Sequence, residues 1–309
     1  MKIAVTCLQM IRDLDQLGDH FRSADLLPVP ANVSGQFLEG KALIAALTDC
    51  TGVIAGDDQF SREVLEACSS LKVISKWGIG VDGIDHASAA RLGIRVRNTP
   101  GMFGDEVGDV TMAYLTDLAR ELTRTHQAVQ CGEWYKPTGT SLAGSTLGII
   151  GLGTNGLAVA RRAAASGMRI IGTDPSKEAV SRARLLGISV LTINEVFEVS
   201  DFITVHTPLT TQTRHLLDAE SFRKMRNGVR IVNTSRGSVI DTDALIDALQ
   251  SGKVAGAALD VMEEEPLPYE HPLRTIDSVI FGSHNASNTV QACARVHRQA
   301  ITNLIEELG

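Results

Sequence analysis

Residues at the ends of apolar runs are the ones placed to do chemistry in this 309-residue chain. Ile231-Val232-Asn233-Thr234-Ser235-Arg236-Gly237 reads as a buried strand ending in a single Arg. A guanidinium offers the two-pronged contact that a carboxylate accepts. Val279-Ile280-Phe281-Gly282-Ser283-His284 places a His after another apolar run, and an ordinary imidazole pKa of about 6.5 suits proton transfer near neutrality. Between them, Ala257-Ala258-Leu259-Asp260-Val261 leads into Met262-Glu263-Glu264-Glu265-Pro266. Reducing a 2-oxo acid needs a cation for the carboxylate, an acid for the carbonyl oxygen and a hydride donor on one face. Spacing does not assemble these residues by itself. An Arg in a turn, a His beside a strand and a run of Glu in a solvated loop all have ordinary structural uses. Which Glu faces inward stays open.

A site for the hydride donor is written more clearly. Thr146 to Ile150 reads as a strand that runs into Gly151-Leu152-Gly153-Thr154-Asn155-Gly156 and then a helical stretch, Leu157–Ser166. In that strand-turn-helix setting, GxGxxG predicts a Rossmann dinucleotide site. Gly151 permits the tight turn, Gly153 lets the backbone approach a pyrophosphate, and Gly156 lets the helix pack on the strand. The anion would rest on free N–H groups at the helix N-terminus. The next strand ends at Asp174, about twenty residues on, where a carboxylate accepts from ribose hydroxyls and repels a 2′-phosphate, so NAD is expected rather than NADP. A Gly-rich turn with a helix-capping Asp is the plainer alternative.

Short β-rich runs alternate with helical stretches around these motifs. Ile3–Val5, Gly52–Ala55, Leu71–Ile74 and Gly93–Val96 read as buried parallel strands, with helices such as Ser61–Cys68 and Ile84–Leu92 between them. Asn98-Thr99-Pro100-Gly101 is strong turn punctuation, and one long helix is expected from about Gly104 to His126. A second series follows a linker-like stretch, Cys131–Ala143: strands at Ser145–Gly151, Met168–Thr173, Phe202–His206, Val229–Asn233, Ala255–Asp260 and Ser278–Phe281, then a closing helix from about Asn288. The fold class is therefore α/β, two doubly wound parallel-sheet domains with a cleft between them.

Bulk properties narrow the function classes. Apolar residues at 44% and charged residues at 21% are the balance of an ordinary globular protein. A net charge of −7 argues against nucleic acid or an anionic membrane surface as partner. Arg12 and Asp13 cut the first apolar run too short for a signal peptide, and no stretch approaches the ~20 apolar residues of a membrane span. The five cysteines are scattered, with no CxxC pair and no His at ligand spacing, so no metal site is expected and reduced thiols in the cytoplasm are.

In this order the motifs resemble the D-isomer-specific 2-hydroxyacid dehydrogenase family. They are Gly78-Ile79-Gly80-Val81-Asp82, Gly151 to Gly156, His206-Thr207-Pro208-Leu209-Thr210, Asn233 to Gly237 with Val239-Ile240-Asp241, Leu259-Asp260-Val261, Glu265-Pro266 and His284-Asn285-Ala286-Ser287. The resemblance implies a discontinuous, flavodoxin-like substrate domain (1–100 and 285–309) around a nucleotide domain (101–284), and a homodimer built on the latter. It implies that Arg236 binds the substrate carboxylate. His284 would be the proton donor in reduction, with Glu265 raising its pKa. Backbone N–H groups of Gly78, Ile79 and Gly80 would grip the carboxylate from the other domain, with Trp77 beside them shaping the pocket. Asp260 would hold the nicotinamide carboxamide, and Thr154, Asn155, Thr207, Pro208, Thr213, Thr234, Ser235 and Ser287 would line the cofactor groove.

The sequence departs from that family at two places. Members acting on 3-phosphoglycerate tend to carry an Arg-Ser pair after the third strand of the substrate domain, where this chain has Ala55-Gly56-Asp57-Asp58 with two acids and no cation. That disfavours a phosphorylated substrate, although Lys76 and Arg97 remain as distal cations. Asn285 after the His is unusual. L-specific lactate and malate dehydrogenases place the glycine motif near the N-terminus, unlike this chain. A rival of another class is a nucleotide-sensing corepressor that keeps the fold and turns over little substrate.

Overall fold

The computed structural model describes residues 1–309, which divide into two compact units, Met1–Met102 with Asn288–Gly309, and Phe103–Ser287. In the first unit the strands β1 (Lys2–Val5), β2 (Leu27–Pro30), β3 (Gly52–Ala55), β4 (Val73–Lys76) and β5 (Arg95–Arg97) alternate with α1 (Leu8–Ser23), α2 (Gly40–Leu47), α3 (Arg62–Ala67) and α4 (His86–Arg91). Every pairing is parallel and the order is β2-β1-β3-β4-β5. β3 and β4 are buried along their whole length, as strands covered on both faces must be. Leu-Pro-Val-Pro carried no strand signal because proline cannot donate to a ladder. It forms β2 at the sheet edge, where the missing N–H groups cost nothing.

The second unit opens with α5 (Gly104–Arg120) and α6 (Leu122–Gln130) in place of the single expected helix. The break is Glu121, in left-handed backbone at φ 53°. There the Asp117 carboxylate takes the Thr123 N–H at 2.8 Å and so caps a new helix. A seven-stranded parallel sheet follows, built from β6 (Thr146–Ile150), β7 (Arg169–Thr173), β8 (Ser189–Val190), β9 (Phe202–Val205), β10 (Val229–Asn233), β11 (Val254–Leu259) and β12 (Val279–Phe281). Its helices are α7 (Thr154–Ala165), α8 (Lys177–Leu185), α9 (Ile193–Val199), α10 (Ala219–Lys224) and α11 (Thr242–Gln250). The two-residue edge strand β8 was too short to read from the sequence.

The order β12-β11-β10-β9-β6-β7-β8 reverses direction between β9 and β6. Loops leaving the carboxyl ends of adjacent strands part there, and such switch points are where open α/β sheets bind ligands. Apolar clusters cover both faces. Phe197, Ile203, Leu217 and Ile231 belong to one, and Leu115, Leu147, Val159 and Phe202 to the other. At roughly 1.5–3 kcal/mol per fully buried large side chain, these clusters hold the strand ends rigid. The last helix, α12 (Val290–Leu308), belongs to the first unit, where Ser75 Oγ donates to the Ala300 carbonyl at 2.9 Å. No helix is long and apolar enough to cross a membrane.

Candidate active site

Arg236, Asp260 and the loop carrying His284 leave the carboxyl ends of the neighbouring strands β10, β11 and β12. Buried Asn233 shapes the first of these turns. Its amide donates to the Arg236 carbonyl at 2.8 Å, and its oxygen accepts from the Ser235 N–H and hydroxyl at 3.0 and 2.8 Å. Arg236, half-buried, turns Nη1 onto the Ser235 carbonyl at 2.9 Å. A Cβ on Gly237 would lie 1.9 Å from the Met262 carbonyl carbon. Only glycine lets the Arg236 turn pass this close to the loop of glutamates.

That loop separates its three acids. Glu265 Oε1 accepts the Met262 N–H at 2.9 Å, and its Oε2 lies 2.8 Å from His284 Nδ1. Glu263 instead meets His215 Nε2 at 2.7 Å and the Thr242 N–H at 2.9 Å. Burial works to raise the Glu263 pKa, yet the bonds from Thr242 and His215 prevail and hold it below the usual carboxylate value. Glu264 is exposed. A contact with its own loop backbone therefore distinguishes Glu265, and no one-dimensional spacing carries that.

His284 adopts left-handed backbone at φ 53°, which a non-glycine residue holds only when its surroundings enforce it. Asp260 supplies the enforcement. Its carbonyl takes the His284 N–H at 2.7 Å, and its buried carboxylate takes the N–H groups of Asn285 and Ala286 at 3.2 and 2.9 Å. Tyr114, on α5, adds a longer bond to the same carboxylate at 3.4 Å. The family resemblance implies a cofactor contact for Asp260; in the structure Asp260 shapes the loop that presents His284. Tyr114 had no sequence signal, being one aromatic residue on a helix. Ser287 closes this loop, half-buried.

A second imidazole lies at the end of β9. His206 Nδ1 is 3.4 Å from Thr234 Oγ1, and Nε2 contacts Thr204 Oγ1. Thr234 in turn meets Thr111 at 3.3 Å. No carboxylate reaches the ring, and burial pushes its pKa down to about 4. This histidine is neutral at pH 7. Its role was absent from the sequence reading, which took it only as part of a motif.

The glycine loop at the switch point is built as its pattern predicts. Gly151 sits at φ 96°, and a Cβ there would meet the His206 carbonyl oxygen at 2.7 Å; on Gly156 it would meet the Gly151 carbonyl oxygen at 2.0 Å. A Cβ on Gly153 would meet nothing within 4 Å. α7 begins there with no side-chain cap, and the Asn155 Oδ1 and Thr207 Oγ1 atoms are buried without a partner. Uncapped N–H groups and orphaned polar atoms beside an open backbone are what a dinucleotide would satisfy. Asp174, at the end of β7, also braces the loop, accepting the Leu152 N–H at 2.7 Å and the Ser176 N–H at 2.8 Å. Thr213 closes the loop after β9 through a 2.7 Å bond to the Pro208 carbonyl.

The profile of the D-isomer specific 2-hydroxyacid dehydrogenase NAD binding domain matches residues 112–286. This chain belongs to that family. The dehydrogenase is 35% identical over 97% of its length to the glyoxylate reductase of Thermofilum pendens, covering 88% of that protein. It is 39% identical over 83% of its length to the hydroxypyruvate reductase of Thermotoga maritima, covering 84% of it. Its fold matches the apo D-lactate dehydrogenase of Escherichia coli with a TM-score of 0.81 at 30% identity, over 98% of this chain and 96% of that one. The cofactor of this dehydrogenase is NAD(H).

In the first unit of the dehydrogenase, the Trp77–Gly80 loop follows β4. Gly78 does not offer its N–H outward, because Thr99 Oγ1 takes it at 3.1 Å. The N–H groups of Ile79 and Gly80 donate to no other group of the chain. Lys76, buried, is spent on Asp57 Oδ1 at 3.1 Å and the Trp77 carbonyl at 2.9 Å. Asp58 is buried against the N–H groups of Leu38 and Gly56 and the Thr6 hydroxyl, and burial raises its pKa. Arg97 is paired with Glu306 and Glu307 at 3.3 and 3.4 Å.

Proposed function

We propose that this dehydrogenase reduces a short, unphosphorylated 2-oxo acid of glyoxylate or hydroxypyruvate size to its 2-hydroxy acid, the D isomer where the product is chiral. The observation that carries this reading is the Asp57–Lys76 pair. Where a distal phosphate would need cations, the loop after β3 presents Asp57, Lys76 is paired with it, and Arg97 is held by two glutamates.

In the proposed mechanism the Arg236 guanidinium makes a forked contact with the substrate carboxylate, and the N–H groups of Ile79 and Gly80 in the first unit are donors for a carboxylate. Glu265 accepts a hydrogen bond from the His284 Nδ1 N–H, which orients the ring and stabilises its charged form, leaving the Nε2 proton to be given to the carbonyl oxygen. The nicotinamide supplies the hydride when it is bound. Thr154, Asn155 and the N-terminus of α7 hold the pyrophosphate, and Thr207, Pro208, Thr213, Thr234 and Ser235 line the groove. Asp174 accepts from the ribose, which favours NADH over NADPH. Asp260 holds the carboxamide as well as the His284 loop, and Ser287 borders it. Residues 1–102 with 288–309 serve as the substrate domain.

We also propose a homodimer built on the nucleotide unit. It is supported by α6, which buries no residue of its own, and by Leu122, Val129 and Trp134, which expose 51%, 47% and 83% of their surface. All five cysteines are free thiols, in keeping with a reducing cytoplasm.

The test is oxidation of NADH, and separately of NADPH, against glyoxylate, hydroxypyruvate, pyruvate and 3-phosphohydroxypyruvate. Glyoxylate or hydroxypyruvate should give the highest kcat/KM, with NADH preferred. A preference for the phosphorylated acid would overturn the substrate class. Absence of turnover with all four would favour a nucleotide-sensing protein instead.

A further inference from the structure

The loop expected to hold the substrate carboxylate is anchored by a chain of three side chains that runs from two buried rings to a half-exposed carboxylate. Trp77 Nε1 donates to His297 Nδ1 at 2.9 Å, and His297 Nε2 lies 3.0 Å from Asp13 Oδ2. Trp77 and His297 expose only 6% and 2% of their surface, and their rings pack at a centroid distance of 5.8 Å. An indole N–H can only donate, so Nδ1 must be the accepting nitrogen. The proton of the neutral ring is then on Nε2, which donates it to Asp13. Burial lowers the imidazole pKa against the opposing pull of Asp13, which favours the neutral ring, and the Trp77 donor selects its tautomer. On its other side the loop is tied by Asn98 Nδ2 to the Ile79 carbonyl at 2.7 Å and by Thr99 to Gly78. Three separated segments thus converge on a stretch in which the Ile79 and Gly80 N–H groups donate to no group of the chain.

We propose that His297 is a positioning residue for the substrate carboxylate, acting through Trp77 to set the direction of the Ile79 and Gly80 N–H groups. The inference rests on the reading that this loop binds the carboxylate. It differs from that reading in assigning its alignment to a helix residue that cannot touch substrate.

Steady-state kinetics with glyoxylate and NADH test it. His297→Leu removes both hydrogen bonds and should raise the glyoxylate KM roughly tenfold, the scale of one or two buried bonds. The NADH KM and kcat should stay near their unaltered values, since uniform binding alone is lost. His297→Asn keeps an acceptor for Trp77 and should recover most of the KM. Trp77→Phe should raise KM similarly, and adding His297→Leu to it should cost nothing more, because both act through one bond. Additive effects in that double variant, or a His297→Asn variant as impaired as His297→Leu, would overturn the proposal. Gly78→Ala separates the two levels, since its φ of 129° and a Cβ 3.1 Å from Lys76 Nζ must disturb the loop. If Gly78→Ala raises KM and His297→Leu does not, only the role of His297 falls. If neither raises it, the loop does not hold the carboxylate and both readings fall.

Discussion

Two histidines stand at strand ends of one sheet in opposite surroundings. His284 has a carboxylate at 2.8 Å from Nδ1 and a backbone forced into left-handed geometry. His206 has only threonine hydroxyls for company, and burial holds its pKa at about 4. In the proposed mechanism the ring that faces a carboxylate is the one that gives and regains a proton, whereas the ring among hydroxyls is a neutral hydrogen-bonding group. The residue type is the same, and the neighbours decide the chemistry. The difference also explains why a His after an apolar run is weak evidence by itself.

The comparison breaks most easily at its catalytic end. His284→Ala should lower the reductive kcat/KM by roughly 10²–10⁴-fold, the range for loss of a general acid, while His206→Asn should cost less than roughly tenfold, the scale of a neutral hydrogen bond. Comparable losses in the two variants would mean that the local environments do not assign the proton. Arg236→Lys comes next, with an expected loss of roughly tenfold or more in kcat/KM, because an ammonium cannot reproduce the forked contact. Near-normal kinetics would make Arg236 a structural residue of its turn.

The smallest effect concerns stability. The folded pKa of His206, about 4, lies below its ordinary 6.5, so as pH falls the unfolded chain binds this proton first. The stability that depends on the neutral ring is complete above about pH 6.5, is lost progressively towards pH 4 and levels off below. Chemical denaturation of the unaltered protein and of His206→Asn at pH 7 and pH 5 should show a shallower loss in the variant. Parallel losses would contradict the buried neutral state.

Much of this was legible in the sequence, for reasons that differ by residue. The glycine loop was readable because a tight turn and a close helix approach each demand glycine at a fixed offset. Arg236 and His284 were readable as candidates because each follows an apolar run that must be a buried strand. The choice of Glu265 rested on the family resemblance, since the Met262 N–H that holds it depends on how the loop folds back. Glu121 is an ordinary helix former, and its left-handed turn reflects the Asp117 side chain. The Thr99 bond that removes the Gly78 N–H, and the Trp77–His297–Asp13 chain, join residues 21, 220 and 284 positions apart. No local pattern records such pairings.

The central claim is that Glu265 governs the proton on His284, and the pH profile of kcat/KM for 2-oxo acid reduction at saturating NADH tests it most directly. Reduction consumes the proton of the imidazolium, so the rate falls as pH rises through the pKa of His284. An ionised Glu265 favours the imidazolium and places that fall at higher pH. Glu265→Gln should therefore move the alkaline limb to lower pH while leaving some activity, and Glu263→Gln and Glu264→Gln should leave it in place. An unmoved limb in Glu265→Gln, or a limb that moves with Glu263 instead, would contradict the account.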